Sequence, residues 1–271
     1  MQDAALPVPD DWSERDPDPL AEALRLISLA DERGLLLRLM GGLAFHALAP
    51  DWTARIDRER RDIDLATRSR DRKAVSELLE ARGYEPDRRY NALYGHKQLY
   101  FVDPHRRRPV DVLIDRLEMC HRIEFAERLG IRPSTLPPAD LLLSKLQVVR
   151  INRKDILDSL VLLSEFPLAT DDAGGSAISI ERIVALTSND WGWWRTVTGN
   201  LVRLSAFLAE ELAPGDLDFG REPRFDAGAG LAELRAAIDA SAKSTRWKLR
   251  ARIGERTPWY ELPEEVEHDL A

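Results

Sequence analysis

Cysteine is almost absent from this chain of 271 residues, which contains only Cys120. A single cysteine excludes an internal disulfide and a metal site built from several cysteines. No apolar run of about 18 or more residues occurs, so the sequence predicts no membrane-spanning segment. The acidic, proline-rich start MQDAALPVPDDWSERDPDP has neither a basic beginning nor an apolar run, and no secretory signal is expected. Together these absences predict a cytoplasmic protein.

The chain also lacks an overall excess of positive charge, because its net charge is −8. This disfavours a protein that binds nucleic acid over its whole surface. Basic residues are nevertheless concentrated in two segments, 55–73 and 243–256. Such runs are more often solvated faces than binding sites, but either could meet a polyanionic ligand.

The spacing of apolar residues predicts a mixed N-terminal half and an all-helical C-terminal half. Helices are expected over 17–34, in LAFHALAP, in SRDRKAVSELLEARGY with Ser69 as the N-cap, and from 134–148 on through KDILDSLVLLSEF. Strands are expected in LLLRLMGG, in RRDIDLAT and in a hairpin over 96–115, and none beyond about residue 165. The stretch DDAGGSA, residues 171–177, is the best candidate for a linker. We therefore expect an N-terminal tail and helix (1–34), a mixed α and β domain (35–168) and a helical domain (176–271).

Two carboxylates share one face of the strand RRDIDLAT. Side chains in a strand alternate between faces, so Asp62 and Asp64 point the same way while Ile63 and Leu65 face a core. Two like charges this close repel each other unless something holds them. The most common partner for such a pair is a divalent cation with oxygen ligands, typically Mg²⁺. The alternative, that acids at a strand end only cap a turn, is about equally good for this pair alone.

A third carboxylate lies in a second predicted strand. PVDVLID places Asp111 between two valines, and Asp115 follows on the same face near the strand end. Three carboxylates from neighbouring strands can hold two metal ions, which suits phosphoryl or nucleotidyl transfer.

A pair of glycines precedes these strands. In LMGGLAFHAL, Gly41 and Gly42 lie between a predicted strand and a predicted helix. Glycine there lets the backbone approach a ligand closely, and a helix N-terminus favours phosphate. A glycine pair alone is a weak signal, because such turns are often only turns.

In combination, MGGLAFHAL, RDIDL and VDVLI resemble the nucleotidyltransferases of the DNA polymerase beta superfamily. The long interval from Gly42 to Asp62 is similar to the branch that includes AbiEii-type toxins and aminoglycoside nucleotidyltransferases. A second block, KLQVVRINRKDILDSL, resembles the downstream motif of the AbiEii-type toxins and is expected on one helix. Its charged residues are Lys145, Arg150, Lys154, Asp155 and Asp158. A helix carrying only surface ion pairs is the alternative explanation of that block alone.

The resemblance implies an α+β fold in which a nucleotidyltransferase-like mixed sheet with flanking helices is joined to a C-terminal helical domain. It implies a Mg²⁺-dependent enzyme that moves an NMP from an NTP to an acceptor hydroxyl. Asp62, Asp64 and Asp111 would be metal ligands, and Asp111 would also be the general base.

The remaining motif residues receive roles from the same resemblance. Gly41 and Gly42 would cradle the phosphates, and Lys145, Arg150 and Lys154 would offset their charge. Asp155 would join the catalytic set, and Asp158 would help to position the nucleotide.

The acceptor follows least directly from the sequence. The AbiEii-type resemblance implies an RNA acceptor, the 3′ end of tRNA, and a toxin with a cognate antitoxin or a role in phage defence. The aminoglycoside-type resemblance implies a small cationic acceptor, for which the acidic stretch 209–226 could provide a pocket. A non-catalytic module that binds a nucleotide or a protein is a further alternative. Trp191, Trp193 and Trp194 could stack a base, but clustered tryptophans are more often core.

Overall fold

A computed structural model of the protein describes residues 16–56 and 62–262. Its strands are β1 (Leu37–Leu39), β2 (Ile63–Thr67), β3 (Glu85–Pro86), β4 (Gln98–Asp103), β5 (Arg108–Ile114), β6 (Arg116–Glu118), β7 (Arg122–Glu124), β8 (Leu168–Ala169) and β9 (Ile178–Ser179). Its helices in the N-terminal half are α1 (Pro19–Asp31), α2 (Gly41–Leu48), α3 (Pro50–Thr53), α4 (Arg72–Ala81) and α5 (Arg88–Tyr94). The later helices are α6 (Pro138–Leu146), α7 (Arg153–Glu165), α8 (Ile180–Asn189), α9 (Trp191–Ala206), α10 (Ala227–Ala240) and α11 (Thr245–Ile253).

The central sheet has five strands in the order β1-β2-β5-β4-β3. Strands β2 and β5 run parallel, whereas the other neighbouring strands run antiparallel, so the sheet is mixed. The helices flank this sheet and then form the C-terminal half. The expected α+β fold with a mixed sheet is therefore confirmed.

The alternation of side chains in β5 explains how the sheet carries a polar face. Val110, Val112 and Ile114 are buried in the core, and the residues between them are only half-buried. Because successive side chains in a strand point to opposite faces, Asp111 lies on the face away from these apolar residues.

The hairpin predicted over 96–115 is confirmed by the antiparallel pairing of β4 and β5. The prediction of Ser69 as a helix N-cap is wrong, because α4 begins at Arg72 after Asp71. The Ser69 backbone N–H instead donates to the Asp115 carboxylate at 2.8 Å. Asp115 therefore ties the loop after β2 to the end of β5.

The second motif block lies on two helices rather than one. Helix α6 ends at Leu146 and α7 begins at Arg153. The Asn152 side chain starts the new helix by accepting a hydrogen bond from the Asp155 backbone N–H at 3.0 Å. A side chain that satisfies one of the first free N–H groups favours a helix start at this point, and apolar periodicity alone does not reveal the break.

The expectation of no strand after residue 165 is also wrong, because β8 and β9 pair in parallel. Between them, DDAGGSA forms a compact turn in which Gly174 and Gly175 have φ values of 65° and 88°. Both Gly175 and Ala177 are buried.

Residues on both sides of this turn belong to one hydrophobic cluster, which includes Leu142, Leu160, Ile183 and Leu234. The division into domains at 168 and 176 stays a prediction.

Two predictions fall partly outside the described residues. The basic segment 55–73 includes Arg58, Arg60 and Arg61, and the N-terminal tail includes residues 1–15, none of which the structure describes. Within the described residues, no helix is long and apolar enough to cross a membrane.

Candidate functional site

Two of the predicted site carboxylates are direct neighbours on parallel strands. The register of β2 and β5 pairs Asp64 with Asp111. Adjacent strands lie about 4.8 Å apart, and paired residues of parallel strands face the same side of the sheet. The exposed Asp62 precedes β2 and shares the face of Asp64. The sheet therefore brings together the three acids that the sequence singled out.

The glycine pair lies directly against these acids. Helix α2 begins at Gly41, whose φ of +60° is in the left-handed region. A Cβ at Gly41 would lie 1.8 Å from Oδ2 of Asp64, so no other residue fits without displacing that carboxylate. The Gly42 backbone N–H donates a hydrogen bond to Asp64. The first turn of α2 thus holds the carboxylate in place.

Electrostatics distinguish Asp64 from an ordinary carboxylate. Burial, followed by the negative charges of Asp111 and Asp62, raises its pKa from 3.8 to about 7. The positive charge of Lys145 and the Gly42 hydrogen bond act in the opposite direction. A strongly raised pKa caused by burial and like charges is typical of functional sites.

Lys145 links the strand acids to the helix acids. Its Nζ lies 2.9 Å from Oδ1 of Asp155 and 3.0 Å from Oδ2 of Asp158. It also lies 5.0 Å from the centre of the Phe45 ring. Burial alone lowers the pKa of Lys145, but the charges of Asp158 and Asp155 raise it above its ordinary value. Lys145 is therefore a fixed positive charge within reach of Asp64.

The other two predicted cations lie elsewhere. Arg150 lines a cavity of about 350 Å³ together with Arg195 and Arg203. Lys154 lines another cavity, of about 450 Å³, together with Arg153. Of the three cations expected to offset phosphate charge, only Lys145 acts on the pKa of Asp64.

Two residues at the site were not identified from the sequence. The Gln98 side-chain amide donates a hydrogen bond to Oδ1 of Asp111. Tyr100 pairs with Asp111 across β4 and β5. Burial and then the Asp111 charge raise the pKa of Tyr100, and raise that of Tyr90 to about 12. The alternation of side chains along β4 could have identified both residues, because it places Gln98 and Tyr100 on the same face of the sheet.

The tryptophans expected to be core are largely so. Trp191 and Trp193 are buried, and Trp194 is half-buried. The His121 ring stacks on Trp193 with centroids 4.9 Å apart, and burial lowers the pKa of His121 to about 4.

The carboxylates suit a hard cation. Oxygen ligands are those that Mg²⁺ prefers, and a divalent cation would relieve the repulsion that raises the pKa of Asp64. Within residues 16–56 and 62–262, no group of three or more His, Cys, Asp or Glu side chains is already arranged to hold a metal ion. The donor chemistry fits the metal, while the ligand geometry is not preformed.

Comparison with known proteins supports a nucleotidyltransferase fold for the first part of the chain. Residues 23–115 match the sequence model of the aminoglycoside-2''-adenylyltransferase family. This match extends from α1 to the end of β5, so it includes the glycine pair and the three strand acids but ends before Lys145. No curated protein matches the chain significantly.

One solved structure aligned with the chain is an antigenic nucleotidyltransferase-like protein from Paracoccidioides brasiliensis. The sequence identity is 14%, the alignment covers 85% of this chain and 96% of that one, and the TM-score is 0.40.

Proposed function

We propose that this protein is a nucleotidyltransferase that moves an NMP from an NTP to an acceptor hydroxyl. The observation that carries the proposal is the pairing of Asp64 with Asp111 on parallel strands. Asp62 lies on the same face, and the Gly41 backbone packs directly against the Asp64 carboxylate. The match of residues 23–115 to an adenylyltransferase family supports the same class of reaction.

The reaction forms one bond and breaks one. The acceptor oxygen bonds to the α-phosphorus of the NTP, the bond from that phosphorus to the bridging oxygen breaks, and pyrophosphate leaves. Asp111 takes the proton of the acceptor hydroxyl, and the Gln98 hydrogen bond orients its carboxylate. The backbone N–H groups at the start of α2 and the charge of Lys145 stabilise the phosphates.

Asp62, Asp64 and Asp111 would hold Mg²⁺. When bound, the metal would supply charge neutralisation at the phosphate oxygens. Asp155 and Asp158 act through Lys145, because their carboxylates hold its ammonium group in place. The Gly42 N–H already donates to Asp64, so Gly42 holds a metal-ligand carboxylate in place rather than a phosphate.

For the acceptor we propose RNA, specifically the 3′ end of tRNA, with the protein acting as a toxin that has a cognate antitoxin or a role in phage defence. The resemblance of Lys145, Arg150, Lys154, Asp155 and Asp158 to the AbiEii-type motif supports this choice.

A small aminoglycoside-type acceptor is the second candidate, and the family match over residues 23–115 favours it. Its expected acidic pocket over 209–226 is weakened by ion pairs within the described residues. The paired acids and their partners are Glu211 with Arg203, Asp216 with Arg153, and Asp218 with Arg55.

A transfer assay tests the proposal. Purified protein is incubated with Mg²⁺, each α-labelled NTP in turn, and either total tRNA or an aminoglycoside mixture. We expect label on tRNA with the wild type and none with Asp64→Asn, while Asp239→Asn on the surface of α10 serves as the matched control. Label on the aminoglycosides alone would establish the second candidate, and label on neither acceptor would favour a non-catalytic binding module.

Expression in cells provides an independent comparison of the two acceptors. The toxin proposal predicts that expression slows growth and that Asp64→Asn relieves the effect. An aminoglycoside-modifying enzyme would impose no growth cost.

A further inference from the structure

Three arginines line one cavity beside Trp259. The cavity, which we call the arginine cavity, has a volume of about 350 Å³ and lies between the loop after α6 and helix α9. Its described lining residues are Val149, Arg150, Ile151, Arg195, Thr196, Gly199, Asn200, Arg203 and Trp259. No carboxylate is among these residues, so the lining is positive.

The three guanidinium groups differ in how far they are neutralised. Arg195 donates to Glu255 at 2.5 Å, and Arg203 pairs with Glu211. Arg150 is exposed and makes no hydrogen bond or ion pair with any other residue that the structure describes. An unpaired guanidinium beside two others is suited to phosphate, whose oxygens accept its parallel N–H donors.

Trp259 adds an aromatic surface to this cavity. It is half-buried, and its Nε1–H donates to Oγ1 of Thr196 at 3.1 Å, which fixes the orientation of the indole ring. The Arg195 guanidinium lies 5.9 Å from the ring centre. Proteins bind single-stranded nucleic acid by combining a positive groove with aromatic side chains on which bases stack.

Trp259 also faces a second, larger cavity of about 1060 Å³. The charged residues that line this second cavity are Lys97, Arg122, Arg246, Arg250, Glu118, Asp190 and Glu261. Four of these are basic and three are acidic, so its charge is nearly balanced. The aromatic surface at Trp259 therefore joins the arginine cavity, which carries one unpaired guanidinium, to a cavity of nearly balanced charge that contains part of the basic segment 243–256.

Hydrogen bonds connect the wall of the arginine cavity to the end of α6, the helix that carries Lys145 of the candidate active site. The Asn200 side-chain amide donates to the backbone oxygens of Leu146 at 2.8 Å and Val148 at 2.9 Å. Lys145, which acts on the pKa of Asp64, immediately precedes this segment. The chain between Lys145 and Arg150 can span at most about 18 Å. A strand of a few nucleotides is long enough to reach from Lys145, which acts on Asp64, to Arg150.

We propose that the arginine cavity binds the phosphodiester backbone of a single-stranded RNA acceptor, with one base stacked on Trp259. This inference rests on the proposed nucleotidyl transfer and adds the place where the acceptor binds. It assigns Arg150 to the acceptor rather than to the NTP. A cationic aminoglycoside would be repelled by the unpaired Arg150 guanidinium.

A binding measurement without NTP or Mg²⁺ tests the site separately from catalysis. The probe is a fluorescein-labelled single-stranded RNA of eight nucleotides, and fluorescence polarisation gives its dissociation constant at several salt concentrations. We expect Arg150→Gln to weaken binding about fivefold and to reduce the slope of log K against log salt by about 0.7, the value for one lost phosphate contact on a single strand. We expect Trp259→Leu to weaken binding about tenfold, because stacking is lost.

Arg235→Gln is the matched control, since Arg235 lies on the surface of α10 and pairs with Asp239. It should leave the dissociation constant unchanged. Equal RNA binding by wild type, Arg150→Gln and Trp259→Leu would overturn the proposal. Displacement of the RNA probe by a neutral oligosaccharide, at the concentration at which unlabelled RNA displaces it, would also overturn the proposal, because that competitor has no phosphate.

The failure of catalysis and the failure of this site are distinguishable. If no acceptor is ever labelled but the RNA binds and Arg150→Gln weakens it, the transfer proposal fails and the binding site stands. If tRNA is labelled with equal KM by wild type and Arg150→Gln, the binding site fails and the transfer proposal stands.

Discussion

At the scale of single residues, the absence of a side chain at Gly41 keeps the Asp64 carboxylate in its position. Gly41 and Gly34 both adopt a positive φ, of 60° and 69°. A Cβ at Gly34 would meet no atom within 4 Å, whereas one at Gly41 would overlap Asp64. Substitutions at Gly34 and at Gly41 therefore distinguish the cost of backbone strain, which both share, from the cost of displacing the carboxylate, which only Gly41 has.

We expect Gly41→Ala to reduce transfer activity by at least about 100-fold, the usual effect of moving a reacting group by about 1 Å. Gly34→Ala should cost about 1 kcal/mol of stability through backbone strain and leave activity intact. Steady-state rates and urea unfolding of both variants provide the measurement. Equal activity in the two variants would contradict the contact between Gly41 and Asp64.

The raised pKa of Asp64 predicts a pH-dependent penalty on stability. In the unfolded chain Asp64 ionises near its ordinary pKa of 3.8, and in the folded protein only near 7. The unfolded state therefore releases the proton first, and stability falls as pH rises through this window. Below about pH 4 the carboxyl is neutral in both states and the penalty vanishes.

Asp64→Asn removes that penalty. In EDTA we expect the variant to be more stable than the wild type at pH 8 by about 2 kcal/mol, a value discounted for the partial exposure of the side chain. The difference should shrink as the pH falls from 8 to 5. Urea unfolding at several pH values measures it, with Asp239→Asn as the control for an exposed carboxylate. A difference that is constant with pH would show that Asp64 titrates normally.

At the scale of elements, Lys145 connects α6 and α7 to the sheet. Its ion pairs with Asp155 and Asp158 join the last turn of α6 to the first two turns of α7. Because Asp158 is fully buried, removing its partner would leave an uncompensated charge inside the protein. The two helices are therefore held at the active site by charge as well as by apolar packing.

We expect Lys145→Met to cost about 3–5 kcal/mol, the usual effect of breaking a buried ion pair on one side. The combined change of Lys145→Met, Asp155→Asn and Asp158→Asn should recover most of that stability, because no buried charge remains. Thermal unfolding and transfer assays on both proteins provide the readouts. Neither variant should be active, because both lack Lys145. Full stability of Lys145→Met alone would contradict a structural role for these pairs.

At the scale of the whole molecule, the helices after the turn at 171–177 share their core with the central sheet. One hydrophobic cluster contains Leu65 of the sheet, Leu142 of α6, Ile183 of α8 and Leu234 of α10. The buried Asp140 carboxylate also binds Arg182 of α8. A continuous core of this kind favours cooperative unfolding.

We therefore expect a single thermal transition in which the calorimetric and van't Hoff enthalpies agree. Differential scanning calorimetry on the full chain provides this test. A fragment that ends at residue 170 should expose the inner surfaces of α6 and α7 and bind a hydrophobic dye. Two separate transitions, with a folded fragment, would instead support the domain division predicted at 168 and 176.

The sequence by itself determined four of the five strands of the sheet and the acids on them, but not the short edge strand β3. Alternating apolar residues around Asp62, Asp64 and Asp111 require strands with one buried face, and this period of two predicts which side chains face outward. The glycine pair was identifiable for a similar local reason, because a tight turn between strand and helix favours glycine. These features depend on neighbours within a few residues along the chain.

Only the tertiary structure decided which of these residues meet. Strand register places Asp64 beside Asp111 and brings Gln98 to the same carboxylate, and neither fact follows from local spacing. The chain leaves the helical conformation before Asn152, in the middle of a motif that the sequence predicts to be one helix. Lys145 therefore lies beside the acids, while Arg150 lies in the arginine cavity. The physical reason is that contacts between distant segments depend on how the elements pack, whereas the period of a sequence reports only the local geometry of each element.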